Sequence, residues 1–378
     1  MSAATTSAPR AASVSHKPRP MPEAPPVTNA NFPWKGLMPD EYSRGMRICV
    51  FGTGAVGGHI AAQLAAAGHE VSAIARGAQL EAIRREGLVL LKGERRIVGK
   101  VKAAQEARDI GPVDCVLVTL KANGLAAFAA GAAPLLGKDT AVVFVQNGIP
   151  WWYAQGLARE RPRPPDLAPL DPGGALARAI APERIVGAVV YSANEVVSPG
   201  VVRNNAPQRN VLVLGEPDGR DSARVRSLAA ALQAAEIQAP VEADIRRSVW
   251  AKLLLNMGSS SIGVLTGETV KDSMSDPAIA ELRQRITAEG RAIAQAHGVD
   301  PAGAPIPPPH SSGGPEHKTS MLQDYELGRP MEVEAVLQAP LWFARAAGVP
   351  APSLAAVAAL VAHMAKNRDR PQFPHGEK

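Results

Sequence analysis

Apolar residues fall along this chain in two different rhythms. Between Arg47 and Val145 they form short unbroken runs, Arg47-Ile-Cys-Val-Phe51, Val71-Ser-Ala-Ile-Ala75, Val113 to Leu120 and Ala141 to Val145. Such runs predict strands covered on both faces, as in a parallel sheet between layers of helix. Helical patterns over Ile60 to Ala67, closed by Gly68, and over Leu125 to Leu136 lie between them, so the order is strand, turn, helix, strand. From Arg184 to Leu214 the runs shorten to Ile185–Tyr191, Gly200–Arg203 and Asn210–Leu214, broken by Pro199-Gly200 and Asn204-Asn205. This predicts an antiparallel meander added to the parallel sheet. A helix over Asp221 to Ala234 and a strand near Ile237 to Val241 complete an α/β domain over 46–243.

From Asp244 onward the period changes to that of helices. Ile245 to Leu255, Ile279 to His297, Ser320 to Leu327, Met331 to Ala347 and Ala351 to Lys366 carry it, giving an all-helical domain over 244–368. Residues 1–45 are rich in Ala, Ser and Pro without either period, which predicts a disordered N-terminal tail, and 369–378 a loose C-terminal one. Pro- and Gly-rich stretches at 161–182 and 301–315 predict surface loops.

Composition narrows the class. In 378 residues, 46% are hydrophobic and 20% charged, enough apolar matter for a sizeable core. Lys plus Arg is 41 against 35 Asp plus Glu, a net charge of +6. The cations are scattered and aromatics are only 4%, so no nucleic-acid platform is visible, and the bias suits small anions. No apolar run reaches the roughly 18 residues that span a bilayer, so no membrane partner is expected. Cys49 and Cys115 sit in apolar runs and predict buried free thiols in a reducing compartment, with the cytoplasm the expected location.

Gly52-Thr-Gly-Ala-Val-Gly57 follows the first strand and opens a helix. In that context G-x-G-x-x-G is a dinucleotide fingerprint, and the domain is of Rossmann type. Gly52 permits the tight turn, Gly54 lets a pyrophosphate approach the backbone, and Gly57 lets helix and strand pack closely. The N–H groups that follow, from Ala55 and Val56, meet the anion at the positive end of the helix. The second strand ends Ile74-Ala75-Arg76 with no acid to hold a ribose 2′-OH, and an arginine there suits a 2′-phosphate. NADP(H) is therefore the expected cofactor.

In the helical half, Trp250-Ala-Lys252-Leu-Leu-Leu-Asn256 puts Lys252 and Asn256 on one helix face. Taken locally, Lys252 is either a partly desolvated lysine or a surface lysine lying along an amphipathic helix. Glu332, after Pro330, falls in a helix first turn.

Together these motifs resemble ketopantoate reductase (2-dehydropantoate 2-reductase), over roughly residues 46–366. The matching stretches are R-I-C-V-F-G-T-G-A-V-G-G, L-V-T-L-K-A at Leu117 to Ala122, Q-N-G at Gln146 to Gly148, W-A-K-L-L-L-N at Trp250 to Asn256, and S-M-L-Q-D with G-R-P-M-E at Ser320 to Glu332. The resemblance implies NADPH-dependent reduction of a small 2-oxo acid, ketopantoate first. It implies Lys252 as general acid and Glu332 as the acid that orients it. It implies Asn256 and Ser320 as substrate-binding residues, with Lys121 and Asn147 at the cofactor site, and allows a homodimer. One departure stands out. Close relatives carry a second Asn four residues after the position of Asn256, followed by Pro, where this chain has Ser260 and Ser261. That leaves room for a paralogue acting on another keto acid or an imine, or for a non-catalytic NADP-binding sensor. His310 and His317 flank a Ser-Gly loop without metal-ligand spacing, and Trp151-Trp152-Tyr153 predicts loop packing.

Overall fold

The computed structural model describes residues 45–305 and 318–367. The first half supplies eleven strands among the described residues. These are β1 (Arg47–Phe51), β2 (Glu70–Ile74), β3 (Leu88–Lys92), β4 (Arg95–Gly99), β5 (Lys102–Ala104), β6 (Val113–Val118), β7 (Leu136–Val145), β8 (Ile185–Tyr191), β9 (Asn194–Ser198), β10 (Val201–Asn204) and β11 (Val211–Gly215). Helices α1 (Ala55–Ala66), α2 (Gly77–Glu86), α3 (Leu125–Gly131), α4 (Ala175–Ala179) and α5 (Ala223–Ala234) lie among and after them.

Seven strands form one sheet in the order β11-β8-β7-β6-β1-β2-β5. All its neighbours pair in parallel except β11, which runs antiparallel to β8. The unbroken apolar runs are explained by burial on both faces. Cys49, Phe51, Val116 and Val118 enter one core cluster, while the alternate residues Ile48, Val50, Cys115 and Leu117 enter the other. Both cysteines are buried free thiols.

The expected meander is corrected. β8 and β11 belong to the large sheet, but β9 and β10 leave it and join β3 and β4 in a second sheet, ordered β4-β3-β10-β9. The central pairing, β10 with β3, is parallel and long-range, a connection that local pattern cannot reveal. Helix α1 is thereby enclosed: Gly58 faces Val202 of β10, and Ala62 lies against Gly99 of β4. The strand expected near Ile237 to Val241 is reduced to two isolated bridges beside β11, at Gln238 and Val241.

The rest is helical: α6 (Ile245–Thr266), α7 (Val270–Ser273), α8 (Pro277–Ala296), α9 (Ser320–Glu326), a π-helical turn over Glu334–Gln338 leading into α10 (Ala339–Ala347), and α11 (Pro352–Asn367). The sequence pattern for α6 stops at Leu255, yet the helix continues another three turns through Gly258-Ser-Ser-Ser261. The polar stretch remains helical because the Ser259 and Ser261 hydroxyls donate to the carbonyls of Leu255 and Met257, one turn back. Its small residues face α8, where the Arg283 side chain crosses Gly258 and Met257 fills the space above Gly290.

Two features join α6 to the sheet half. Trp151, Trp152 and Tyr153 are buried, and Tyr153 accepts a hydrogen bond from the Trp250 indole at 2.8 Å. Arg246, in the first turn of α6, is buried and donates to the carbonyls of Tyr153, Gln155 and Pro217. Helix α4 and short 3₁₀ turns give the 161–182 segment more order than its composition predicts. Of the expected tails at 1–45 and 369–378, all but Gly45 lie outside the described residues, as does the His310–His317 segment.

Candidate functional site

At the C-terminal edge of β1 the chain turns through Gly52 with a φ of +106°, which only glycine adopts without strain. At Gly57 a Cβ would fall on the Gly52 carbonyl oxygen and the Thr119 hydroxyl, so helix and strand meet closer than any side chain permits. At Gly54 a Cβ would meet nothing within 4 Å, so the loop is open there. Ala55 and Val56 begin α1, which has no side-chain cap and no acidic residue in its first turn, so its leading N–H groups and dipole are uncompensated. The Thr53 hydroxyl is buried without a partner. A loop with open backbone, free N–H groups and an unmatched hydroxyl fits a phosphate-bearing dinucleotide.

Arg76 lies two residues past the end of β2, beside this loop, and caps α2 with its backbone. Its side chain is exposed and forms no ion pair among the described residues. Gln79 fixes this arrangement by donating to the Thr53 carbonyl at 2.7 Å and accepting from the Gly200 N–H at 2.9 Å.

A second group of side chains gathers where α6, α9 and the segment before α10 converge. Asn147, Asn256, Ser260, Ser320, Met321, Asp324, Glu332 and Val336 line one small, solvent-open cleft. Asn147, two residues past β7, donates to Glu332 at 3.2 Å. Glu332 immediately precedes the helical segment rather than lying in its first turn, and its carbonyl accepts from the Val336 N–H. Burial raises the Glu332 pKa, against the Asn147 hydrogen bond and the nearby Lys121 charge, which lower it.

Lys252 does not line this cleft. It lies one turn before Asn256, donates to the Val190 carbonyl at the end of β8, and sits over the Tyr191 ring, 5.3 Å from its centroid. Burial lowers its pKa to about 8, while the charge of Glu332 opposes that shift and Arg209 adds to it. Lys252 and Glu332 therefore sense one another's charge without forming an ion pair. Lys121, at the end of β6, pairs with buried Asp324, whose other oxygen receives Arg329 at 3.0 Å.

The structure thus brings Asn147, Asn256, Ser320 and Glu332 to one cleft, with Lys252 beside it and Lys121 tied to its wall. Gly52, Gly54, Ala55, Val56, Gly57 and Arg76 gather at the neighbouring strand ends, where open α/β sheets hold ligands. Sequence reasoning gave no role to Asp324, Met321, Val336, Tyr191 or Arg209. Of these, Asp324 had a usable signal: an acid one helical turn after Ser320 shares its face.

Residues 48–219 match the family described as ketopantoate reductase PanE/ApbA, and residues 244–365 match its C-terminal family. A 2-dehydropantoate 2-reductase of Mesorhizobium japonicum is 42% identical over 327 residues, 85% of this chain and 99% of that protein. A crystal structure assigned as a ketopantoate reductase, from Ralstonia solanacearum MolK2, superposes with a TM-score of 0.75 at 36% identity, covering 86% of this chain and 99% of that one. A D-mandelate dehydrogenase solved with NADH and anilino(oxo)acetate shares the fold at 18% identity, with a TM-score of 0.70 over 86% of this chain and 99% of that one.

Proposed function

This chain belongs to the ketopantoate reductase family of oxidoreductases, and from that premise we propose that it reduces 2-dehydropantoate to pantoate with NADPH. The observation that carries the reading is the cleft of Asn147, Asn256, Ser320 and Glu332 with half-buried Lys252 one helical turn from Asn256. A bound nicotinamide dinucleotide supplies the hydride. The glycine loop would hold its pyrophosphate, and Arg76 would pair with a 2′-phosphate.

This chain's own groups handle the rest. A ketone that gains hydride at carbon develops negative charge on oxygen, which the Lys252 ammonium stabilises and protonates. With a pKa near 8, Lys252 is mostly protonated at neutral pH yet gives up its proton more readily than an ordinary lysine. Glu332, held by Asn147, favours the ammonium form through its charge from the cleft side. The amide of Asn256 and the hydroxyl of Ser320 offer hydrogen bonds to the carboxylate and hydroxyl of a small 2-oxo acid.

Ser260 favours one further reading. It lines the cleft, beside Met321 and Val336, at the position where the family resemblance implies Asn, and so shortens one polar arm. A bulkier 2-oxo acid is the corresponding substrate. D-mandelate dehydrogenase, on the same fold, is a protein solved with a bulkier compound of this kind, anilino(oxo)acetate.

The deciding experiment follows NADPH oxidation by the full-length protein with 2-dehydropantoate and with a series of larger 2-oxo acids, each repeated with NADH. Highest kcat/KM on 2-dehydropantoate with NADPH supports the proposal. A larger acid turned over faster transfers it to the Ser260 reading, and equal rates with NADH remove the role of Arg76.

A further inference from the structure

Tyr191 ends β8 with its ring buried and its hydroxyl without a hydrogen-bond partner. A tyrosine whose oxygen is idle is present for its face. That face has two cations near it. The Lys252 ammonium lies 5.3 Å from the ring centroid and the Arg209 guanidinium 5.9 Å. Arg209 comes from the turn before β11, whose first residue, Val211, pairs with Tyr191. Among the described residues Arg209 forms no ion pair, and its Nε is buried without a partner. Two like charges thus share one aromatic ring, and among the described residues neither is in an ion pair. The one acid acting on Lys252, Glu332, stands off on the cleft side, held by Asn147 and near Lys121 and Asp324.

We infer that Tyr191 and Arg209 are positioning residues that set the acidity of Lys252: the ring holds the ammonium at the end of β8, and the guanidinium makes it a stronger acid. The physics gives the two opposite signs. An aromatic face attracts a cation and favours the protonated amine. A neighbouring positive charge disfavours it. Removing Arg209 must therefore raise the pKa of Lys252, and removing the ring must lower it. The effect of Arg209 on Lys252 described above has the required direction.

The inference rests on reading Lys252 as the proton donor, so the test separates the two. The pKa of Lys252 is measured in the full-length protein by the pH dependence of its acetylation with acetic anhydride, read by mass spectrometry of the Lys252 peptide. This measurement needs no turnover. Arg209→Gln is expected to move the labelling midpoint up by about one unit, and Arg209→Lys to keep it in place. Tyr191→Leu is expected to move it down, while Tyr191→Phe, which retains the face and loses only the idle hydroxyl, holds it at the wild-type value. If the midpoint stays put in Arg209→Gln, or moves equally in Phe and Leu variants at 191, the inference is wrong. The basic limb of kcat/KM for keto-acid reduction is then recorded in the same variants. A limb that follows the labelling midpoint supports both statements. A labelling midpoint that shifts without the limb leaves this inference standing and removes Lys252 as the donor.

Discussion

The glycine loop and the cleft around Glu332 are built on opposite plans. The loop is one uninterrupted stretch, Gly52 to Gly57, whose geometry follows from backbone alone: a positive φ, a missing Cβ, an uncapped helix start. The cleft takes Asn147 from a strand end, Asn256 and Ser260 from α6, Ser320 and Asp324 from α9 and Glu332 from a helix entrance. A ligand that presents phosphates can be met by local backbone. A ligand that must be oriented for proton transfer needs side chains from several directions, and only tertiary structure delivers them.

The largest expected effect tests whether the two plans are separable. Lys252→Ala should reduce kcat by roughly a hundred- to ten-thousandfold while leaving NADPH binding, measured by fluorescence titration, near wild type. Loss of both would tie the loop to the cleft. Next, Gly57→Ala forces a methyl group onto the Gly52 carbonyl, at a cost of about 3 kcal/mol in a denaturant melt and with loss of dinucleotide affinity. Affinity retained in that variant would mean the loop is not held by close packing.

A third prediction concerns pH. His59, on α1 just behind the loop, is buried with neither ring nitrogen partnered, and burial, aided by Lys92, holds its pKa at about 3. Its folded-state pKa lies below the unfolded value near 6.5, so the unfolded chain takes up a proton that the folded one refuses. Stability should therefore fall as pH drops below 6.5 and level off near 3, with about 2 kcal/mol lost by pH 5. His59→Phe should flatten that part of the profile, and an unchanged slope would assign the loss to other groups. The smallest effect is at the rim of the loop, where Arg76→Gln should lower the preference for NADPH over NADH roughly tenfold. An unchanged ratio would place the 2′-phosphate elsewhere.

What could be seen in the sequence follows the same division. β1, the loop and the buried strands were legible because each is specified within about ten residues by an apolar run or by glycine spacing. The second sheet was not. β3 and β4 are short, β4 carries exposed Arg95 and Arg96, and β10, the central partner of β3, lies in another part of the chain. The end of α6 was missed because Gly258 to Ser261 have poor helix propensity, and only packing against α8 and back-bonding hydroxyls hold them helical. In the site, Lys252 and Asn256 were visible as a pair one turn apart. Their relation to Tyr191 and Arg209 was not, because it depends on how β8 and β11 align.

The clasp of Arg246 has a consequence for how this chain tolerates insertions and deletions. It fixes the start of α6 to the carbonyls of Tyr153, Gln155 and Pro217, and Lys252, Asn256 and Ser260 then follow along a continuous helix. Each residue added or removed between Arg246 and Lys252 would swing all three side chains by about 100° about the helix axis, Asn256 and Ser260 out of the cleft and Lys252 away from Tyr191. The 161–174 stretch is held at separate points instead, by Arg161 paired with Asp244 ahead of α6 at 2.7 Å and by buried Leu167 and Asp171. Length variation between Arg246 and Lys252 is expected to be lethal to turnover, whereas in the 161–174 stretch it is expected to be tolerated only between those anchors.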